Sequence, residues 1–377
     1  MRRTTGAKVT SRLATLTTHL QPPHHTTHSA AAAATNTMSS PALAAPWRSL
    51  FVSHLAGMDP PEFTLGTLRR ASGPGGAGAG RDRRSSILAA PVRFPRARTC
   101  VCRGLWAGLP ANPKNDAPLN PAGVWESDLL TFTTDARMDK MEELWEDGLD
   151  LDLRTARGTD PGSPTTQKVG EELWEEGLAR MKGKTTIAEV VRTAEEKLKG
   201  TGGGAIVEAV FWARQPGVQW RVRGRAYVLA PDIESSLEGR EVMTLLKSRM
   251  RRPASSSSSS SAGATTRGGE GDWSFAREIT AHFGNLSPLM RGSFRNPPPG
   301  RPVALPVVGE GLALGQRVTD LEDPVARANF RVVVIAPDEV DQTDLSDPEH
   351  PRRWIHTYIG AGYGRGHHEW ETVEVWP

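Results

Sequence analysis

Two long runs of alternating apolar and polar residues, AIVEAVFWARQ (205–215) and VQWRVRGRAYVL (218–229), flank Pro216-Gly217. A period of two over that length sets one face of each run against a core, and the Pro-Gly pair turns the chain back on itself. Antiparallel sheet is therefore the constraint that the rest of the chain must meet. Further strands are predicted at 63–68, 95–108 and 129–134, and in RRWIHTYIG and EWETVEVWP (369–377), which the glycine-rich loop 360–366 joins. Residues 330–345 read as a strand that ends in a turn. Helical spacing marks 45–58, 239–250 and 273–286, and another helix begins at Met138. Eight strands, few helices and mostly short links predict a mainly β domain with flanking helices, built as an antiparallel barrel.

Low-complexity tracts at 24–46, 71–86 and 253–271 are built mostly from Ala, Ser, Thr, Gly, Pro and Arg. They bury too little apolar surface to offset the cost of ordering their backbone. The expected organisation is a leader over 1–45 and one domain over 46–377, with inserts at about 71–86, 146–202 and 251–271. No Asp or Glu precedes Asp59, while Arg2, Arg3, Lys8 and Arg12 lie among Ser and Thr. That composition suits an organelle transit peptide, and MSSPALAAPWRSLF from Met38 also reads as a natural start. The first reading implies a mitochondrial location and the second a cytoplasmic one. EELWEDGL (142–149) returns as EELWEEGL (171–178). Two copies are too few for a solenoid, so the second is read as a duplicated helix within an insert.

The net charge of +3, from 46 basic and 43 acidic residues, is interleaved and gives no general nucleic-acid surface. No run reaches the ~18–20 apolar residues of a membrane-spanning helix. Cys100 and Cys102 share one face of a strand, a poor placement for a disulfide, and read as reduced thiols of an intracellular protein. A zinc site would need a second pair, so no metal is expected. GAGYGRG (360–366) departs from G-x-G-x-x-G and joins two strands. GTGGGA (200–205) has no following Lys-Ser/Thr, so it is not a P-loop. The pairs His24-His25 and His367-His368 sit in polar or glycine-rich surroundings and read as solvated surface. No serine stands in a G-x-S-x-G elbow.

One constellation does point to chemistry. In LLTFTTDARMDKMEEL (129–144) an apolar strand stops at Thr133 and Thr134, and Arg137 and Lys140 follow. Arg98 and Arg103 flank one neighbouring strand, and Gln219, Arg221 and Arg223 stand on another. A phosphomonoester carries about −1.5 to −2 charge at neutral pH. Arginine forks, a lysine and hydroxyl donors suit it, and a helix start adds free backbone N–H groups.

These pieces, in order, resemble the pyridoxamine-5'-phosphate-oxidase-like family, whose fold is an FMN-binding split β-barrel, and most of all its branch known only as a flavin-binding domain. The resemblance runs from Pro46 to Pro377 with the inserts removed. RTCVCRG resembles the family strand with a basic residue at each end, which implies that Arg98 and Arg103 lie beside FMN. FTTDARMDK resembles its hydroxyl-rich turn, implying phosphate ligation by Thr133, Thr134, Arg137 and Lys140. QWRVRG resembles the next flavin strand, with Gln219 near the ring. LSPLMRGSF followed by PPPG (286–300) resembles a branch signature, implying a contribution from Arg291 and Ser293. HPR (350–352) resembles a His-x-Arg near the flavin, His350 and Arg352.

The resemblance implies a homodimer with FMN at the interface, acting as an oxidoreductase on a small-molecule substrate. A flavin- or haem-binding module without catalysis is the alternative. The substrate side departs from the pattern: Leu245 takes the place of a phosphate-binding Tyr, Arg249 that of its partner Arg, Pro348 that of an Arg before the His, and Thr343 that of a Trp near the flavin. Pyridoxamine phosphate is therefore not expected as the substrate.

Overall fold

The computed structural model describes residues 43–70, 93–145, 198–253, 272–307, 309–360 and 369–377. Residues 1–42 of the leader, the second EELW copy, the serine run, loop residues 361–366 and both His-His pairs lie outside them. Among the described residues the strands are β1 (Glu62–Arg70), β2 (Arg93–Leu105), β3 (Glu126–Ser127), β4 (Leu130–Asp135), β5 (Gly202–Ala213), β6 (Val218–Leu229), β7 (Met250–Arg251), β8 (Phe330–Asp344), β9 (Arg352–Tyr358) and β10 (Trp370–Val375). The helices are α1 (Arg48–Ala56), α2 (Lys140–Glu143), α3 (Leu237–Ser248), α4 (Phe275–Gly284), α5 (Pro288–Gly292) and α6 (Pro324–Asn329).

Eight strands form one sheet in the order β10-β9-β8-β4-β2-β1-β5-β6, and β6 pairs again with β8. Their pairings are all antiparallel. The expected class, mainly antiparallel β with flanking helices, is what the chain forms.

Two apolar clusters lie on the two faces of this sheet. One gathers Phe63, Leu65, Cys100, Cys102, Phe132, Phe211, Trp220, Val333 and Ile335, with Trp47 and Phe51 of α1 packed in. Phe51 meets Phe211 and Trp220 edge-on, with ring centroids 5.1 and 5.3 Å away. The other gathers Trp106, Leu129, Leu229, Val332 and Val334 with Leu246 of α3 and Ile279 and Phe283 of α4. The first half of β8 is thus buried on both faces, which accounts for the unbroken apolar run VVVIA (332–336). Both cysteines are free and buried.

Strand β8 corrects one expectation. Residues 330–345 read as a strand that ends in a turn, yet the strand continues through Pro337 to Asp344. The pairing with β6 shifts register between Arg223 and Gly224. A Cβ at Gly224 would lie 2.1 Å from the Ala336 carbonyl oxygen, so only glycine admits the approach that accommodates the proline. The helix starting near Met138 is also shorter than its pattern suggests, one turn over Lys140–Glu143.

Candidate functional site

Strand β4 ends where its polar residues begin. Asp135 closes the strand with an Asx turn: its Oδ1 accepts from the Arg137 backbone N–H at 2.8 Å. The Arg137 guanidinium folds back on the same carboxylate, Nε to Oδ1 at 2.9 Å and Nη2 to Oδ2 at 2.6 Å. It also donates to the Phe294 and Asn296 carbonyls at 3.2 and 2.8 Å. Arg137 is therefore neutralised and tied to the segment that follows α5.

That turn lines a cavity of about 830 Å³. At its polar end are Arg103, Thr133, Thr134, Arg137, Lys140 and Ser293. Arg103 Nε donates to Thr133 Oγ1 at 3.4 Å, and Lys140 Nζ donates to Thr134 Oγ1 at 3.2 Å. Thr133 and Thr134 face opposite sides of β4, so the cavity wraps around the strand's end. Neither Arg103 nor Lys140 has a carboxylate within ion-pair distance among the described residues. Burial pushes both pKa values down, Arg103 and Lys140 alike, because desolvation disfavours the charged form. Two part-buried cations beside two hydroxyls are an arrangement that a bound dianion would complete.

The opposite wall is apolar, with Pro299, Pro302, Val303, Leu305, Pro306 and Val307. This strap follows α5, and LSPLMRGSF shows how it is placed. Ser287 caps α5 by accepting from Met290 N at 3.2 Å, and Pro288 fits the first turn. A Cβ at Gly292 would sit 1.8 Å from the Gln316 carbonyl oxygen. Arg295 holds the far side, pairing with Asp323 at 2.8 Å and donating to the Gly311 carbonyl at 3.2 Å. The strap residues escape a pattern search because a proline-rich loop carries apolar side chains without a period.

The remaining predicted residues lie elsewhere. Arg98 is on the opposite face of β2 from Arg103, and its guanidinium contacts Thr67 and Glu143. Arg291 is buried beside the Phe283 ring, 5.9 Å from its centroid, and does not line the cavity. Gln219 pairs in register with Thr343, and Arg352 with Asp344. Thr133 pairs with Val332 of the same strand. From Val332 to Thr343 β8 runs on the order of 35 Å at about 3.3 Å per residue. Gln219 and Arg352 therefore lie toward the other end of β8. His350 is exposed and meets Asp347 at 3.0 Å, while Arg352 pairs with Glu374 at 2.8 Å and covers the Trp354 ring. The helix start offered by the sequence is the single turn α2.

GTGGGA has a structural role. A Cβ at Gly202 would fall 2.0 Å from the Trp145 ring, so the glycine makes room for the indole that ends the first EELW copy. Among the described residues no group of three or more His, Cys, Asp or Glu could hold a metal ion. No described helix is long and apolar enough to cross a membrane.

An antiparallel sheet with a cavity at one strand end, lined by Arg103, Lys140 and two threonines, is the frame of the site. Residues 44–230 match the family described as pyridoxamine 5'-phosphate oxidase, FMN-binding domain. The chain carries an FMN-binding domain of that family, and FMN is its cofactor. The matched region holds Arg98, Arg103, Thr133, Thr134, Arg137, Lys140 and Gln219; Arg291, Ser293, His350 and Arg352 lie beyond it. Among solved structures, a pyridoxamine 5'-phosphate oxidase-related FMN-binding protein of Nostoc punctiforme is similar at 16% identity and a TM-score of 0.42. The likeness covers 88% of this chain and 98% of that one. PhzG of Burkholderia lata, in complex with tetrahydrophenazine-1-carboxylic acid, is similar at 14% identity and a TM-score of 0.31, covering 88% and 89%. No curated protein matches the chain.

Proposed function

We propose that the chain is an FMN-dependent oxidoreductase whose cofactor phosphate is held by Arg103, Lys140, Thr133 and Thr134. The observation that carries this reading is the pair of cations without carboxylate partners among the described residues, at the polar end of a cavity of about 830 Å³. FMN, when bound, supplies hydride and electron transfer. The chain supplies the rest. Lys140 and Arg103 set the charge, the two hydroxyls fix orientation, and the strap excludes water with its apolar wall. Arg137 acts at one remove by holding that strap through the Phe294 and Asn296 carbonyls. The described lining has no His, Cys or Tyr, and its one carboxylate, Asp135, is engaged by Arg137. Proton transfer is thus left to substrate, cofactor and water.

Vitamin B6 phosphate is not the substrate in this reading. Leu245 is half-exposed and cannot hydrogen-bond a phosphate. Arg249 is already occupied, its guanidinium 3.4 Å over the Tyr358 ring and donating to the Pro337 carbonyl. The reading includes a homodimer, because Gln219, His350 and Arg352 could join the cavity of Lys140 only if a second copy brought them there.

The test is anaerobic addition of NADPH, NADH and amines to the FMN-loaded protein, with its mass in solution measured alongside. Loss of the oxidised-flavin absorbance with at least one donor, in a dimer, is expected. Bound FMN that no donor reduces would instead mark a non-enzymatic flavin holder, and a monomer would remove the second copy.

A further inference from the structure

One buried imidazole stands just behind the cavity. His282 of α4 is 1% exposed, and neither of its ring nitrogens has a partner among the described residues. The ring lies against the Trp106 indole, with 11° between the two planes. Ring nitrogens bond within the ring plane, so the stacked indole satisfies neither of them. Glu278, one turn earlier on α4, is held by the Asn120 amide at 2.8 Å. A buried polar group left unpaired costs stability, and a phenyl ring would stack as well without that cost.

The fold sets this ring behind Arg103. In a regular strand, residues three apart face opposite ways. The register of β2 against β4 shifts between Cys102 and Leu105, where Gly104 has a φ of 97°, and the extra residue brings Arg103 and Trp106 to one side of the sheet. Arg103 meets Thr133 there, Thr133 pairs with Val332, and Val332 packs in the same cluster as Trp106 and α4. One turn beyond His282, Leu286 lines the same cavity as Arg103. Burial first, and then the Arg103 charge, pull the His282 pKa down to about 3, so the imidazole is neutral at pH 7. Among the described residues the one hydrogen bond of Arg103 is the Nε contact with Thr133 at 3.4 Å, which leaves both Nη groups open.

We propose that His282 is a positioning residue for Arg103. When an anion engages the guanidinium from the cavity, the neutral imidazole accepts a hydrogen bond on its core side and fixes the plane of the fork. This rests on the reading that the cavity holds the FMN phosphate. A neutral acceptor suits the task. The Asp135 carboxylate orients Arg137 but cancels its charge. An imidazole orients Arg103 and leaves the charge for the ligand.

The experiment compares FMN with riboflavin by calorimetric titration of the full chain. His282→Phe keeps the stack on Trp106 and removes the acceptor. It is expected to weaken FMN by ~10-fold, the loss of one hydrogen bond to a charged group, and to leave riboflavin unchanged. His282→Gln keeps a neutral acceptor and should lose less. His282→Glu supplies a carboxylate that neutralises Arg103 and should lose more. In an Arg103→Ala background, His282→Phe should cost no further affinity. A second readout needs no substitution at His282: NMR of its isotope-labelled ring nitrogens, assigned through the contact with Trp106. Inorganic phosphate should move the unprotonated nitrogen upfield in the wild-type protein and not in Arg103→Ala.

Equal losses of FMN and riboflavin in His282→Phe would make the ring a packing residue and overturn the proposal. So would an additive loss in the Arg103→Ala background, or a phosphate-loaded wild-type protein whose His282 nitrogens do not move. If the wild-type protein took up no FMN, the phosphate response would still decide the positioning role, and only the cofactor reading would fail.

Discussion

The two ends of β8 carry similar residues in opposite states. At the far end each arginine has an acid. Arg353 pairs with buried Asp341 at 2.8 Å, and Arg221 pairs with the same carboxylate. Arg223 pairs with Glu339 and Arg352 with Glu374, both at 2.8 Å. At the near end Arg103 and Lys140 meet only threonine hydroxyls among the described residues. Charge of the same sign is structural where it is neutralised and available for a ligand where it is not. Counting arginines does not separate the two cases; counting their partners does.

The largest expected effect breaks the near end. Replacing Arg103 and Lys140 together by Ala removes two charge-assisted contacts, and FMN affinity should fall by ~100-fold or more. The FMN-free protein should lose no stability, because desolvated, unpaired cations are a cost to the fold. Equilibrium dialysis and urea unfolding check the two halves. The far end should show the reverse balance. Asp341→Ala strands two guanidinium groups, and the FMN-free protein should lose about 2 kcal/mol in urea unfolding. A fold indifferent to Asp341 would erase the distinction between the ends.

The effect that is smallest at neutral pH concerns a buried histidine near each end. His282 lies parallel to the Trp106 ring, 5.9 Å between centroids, with both ring nitrogens unpartnered. Burial pulls its pKa down to about 3, and that of His356 at the far end to about 4. Both values lie below the ordinary 6.5, so the unfolded chain binds these protons first. Each histidine therefore lowers stability as pH falls below about 6.5, by about 1.4 kcal/mol per pH unit down to its own folded value. His282→Leu should flatten the acid limb of a stability-pH curve by one proton. An unchanged limb would mean that His282 can charge in place.

Much of the sheet was legible because alternation is a local signal. AIVEAVFWARQ and VQWRVRGRAYVL form β5 and β6 as expected, within three residues at each end. The continuation of β8 past Pro337 was not legible, because it depends on Gly224 of a strand far away in sequence. The spacing of Arg98 and Arg103 on opposite faces could be read from parity, but their partners could not. Arg98 meets Glu143 and Arg103 meets Thr133 only once register is fixed. The second EELW copy, read as a duplicated helix within an insert, lies outside the described residues, and in the first copy Glu143 is buried along with Leu144. The same four letters cannot show which copy finds Arg98, Thr67 and Gly202.

The central claim is that the unpaired cations hold a phosphate. Calorimetric titration of FMN and of riboflavin into the wild-type protein and Lys140→Ala tests it most directly, since the two ligands differ only in that phosphate. The account predicts that wild type prefers FMN by ~100-fold or more and that most of this preference disappears in Lys140→Ala. Riboflavin binding as tightly as FMN, or a preference unmoved by the substitution, would contradict it.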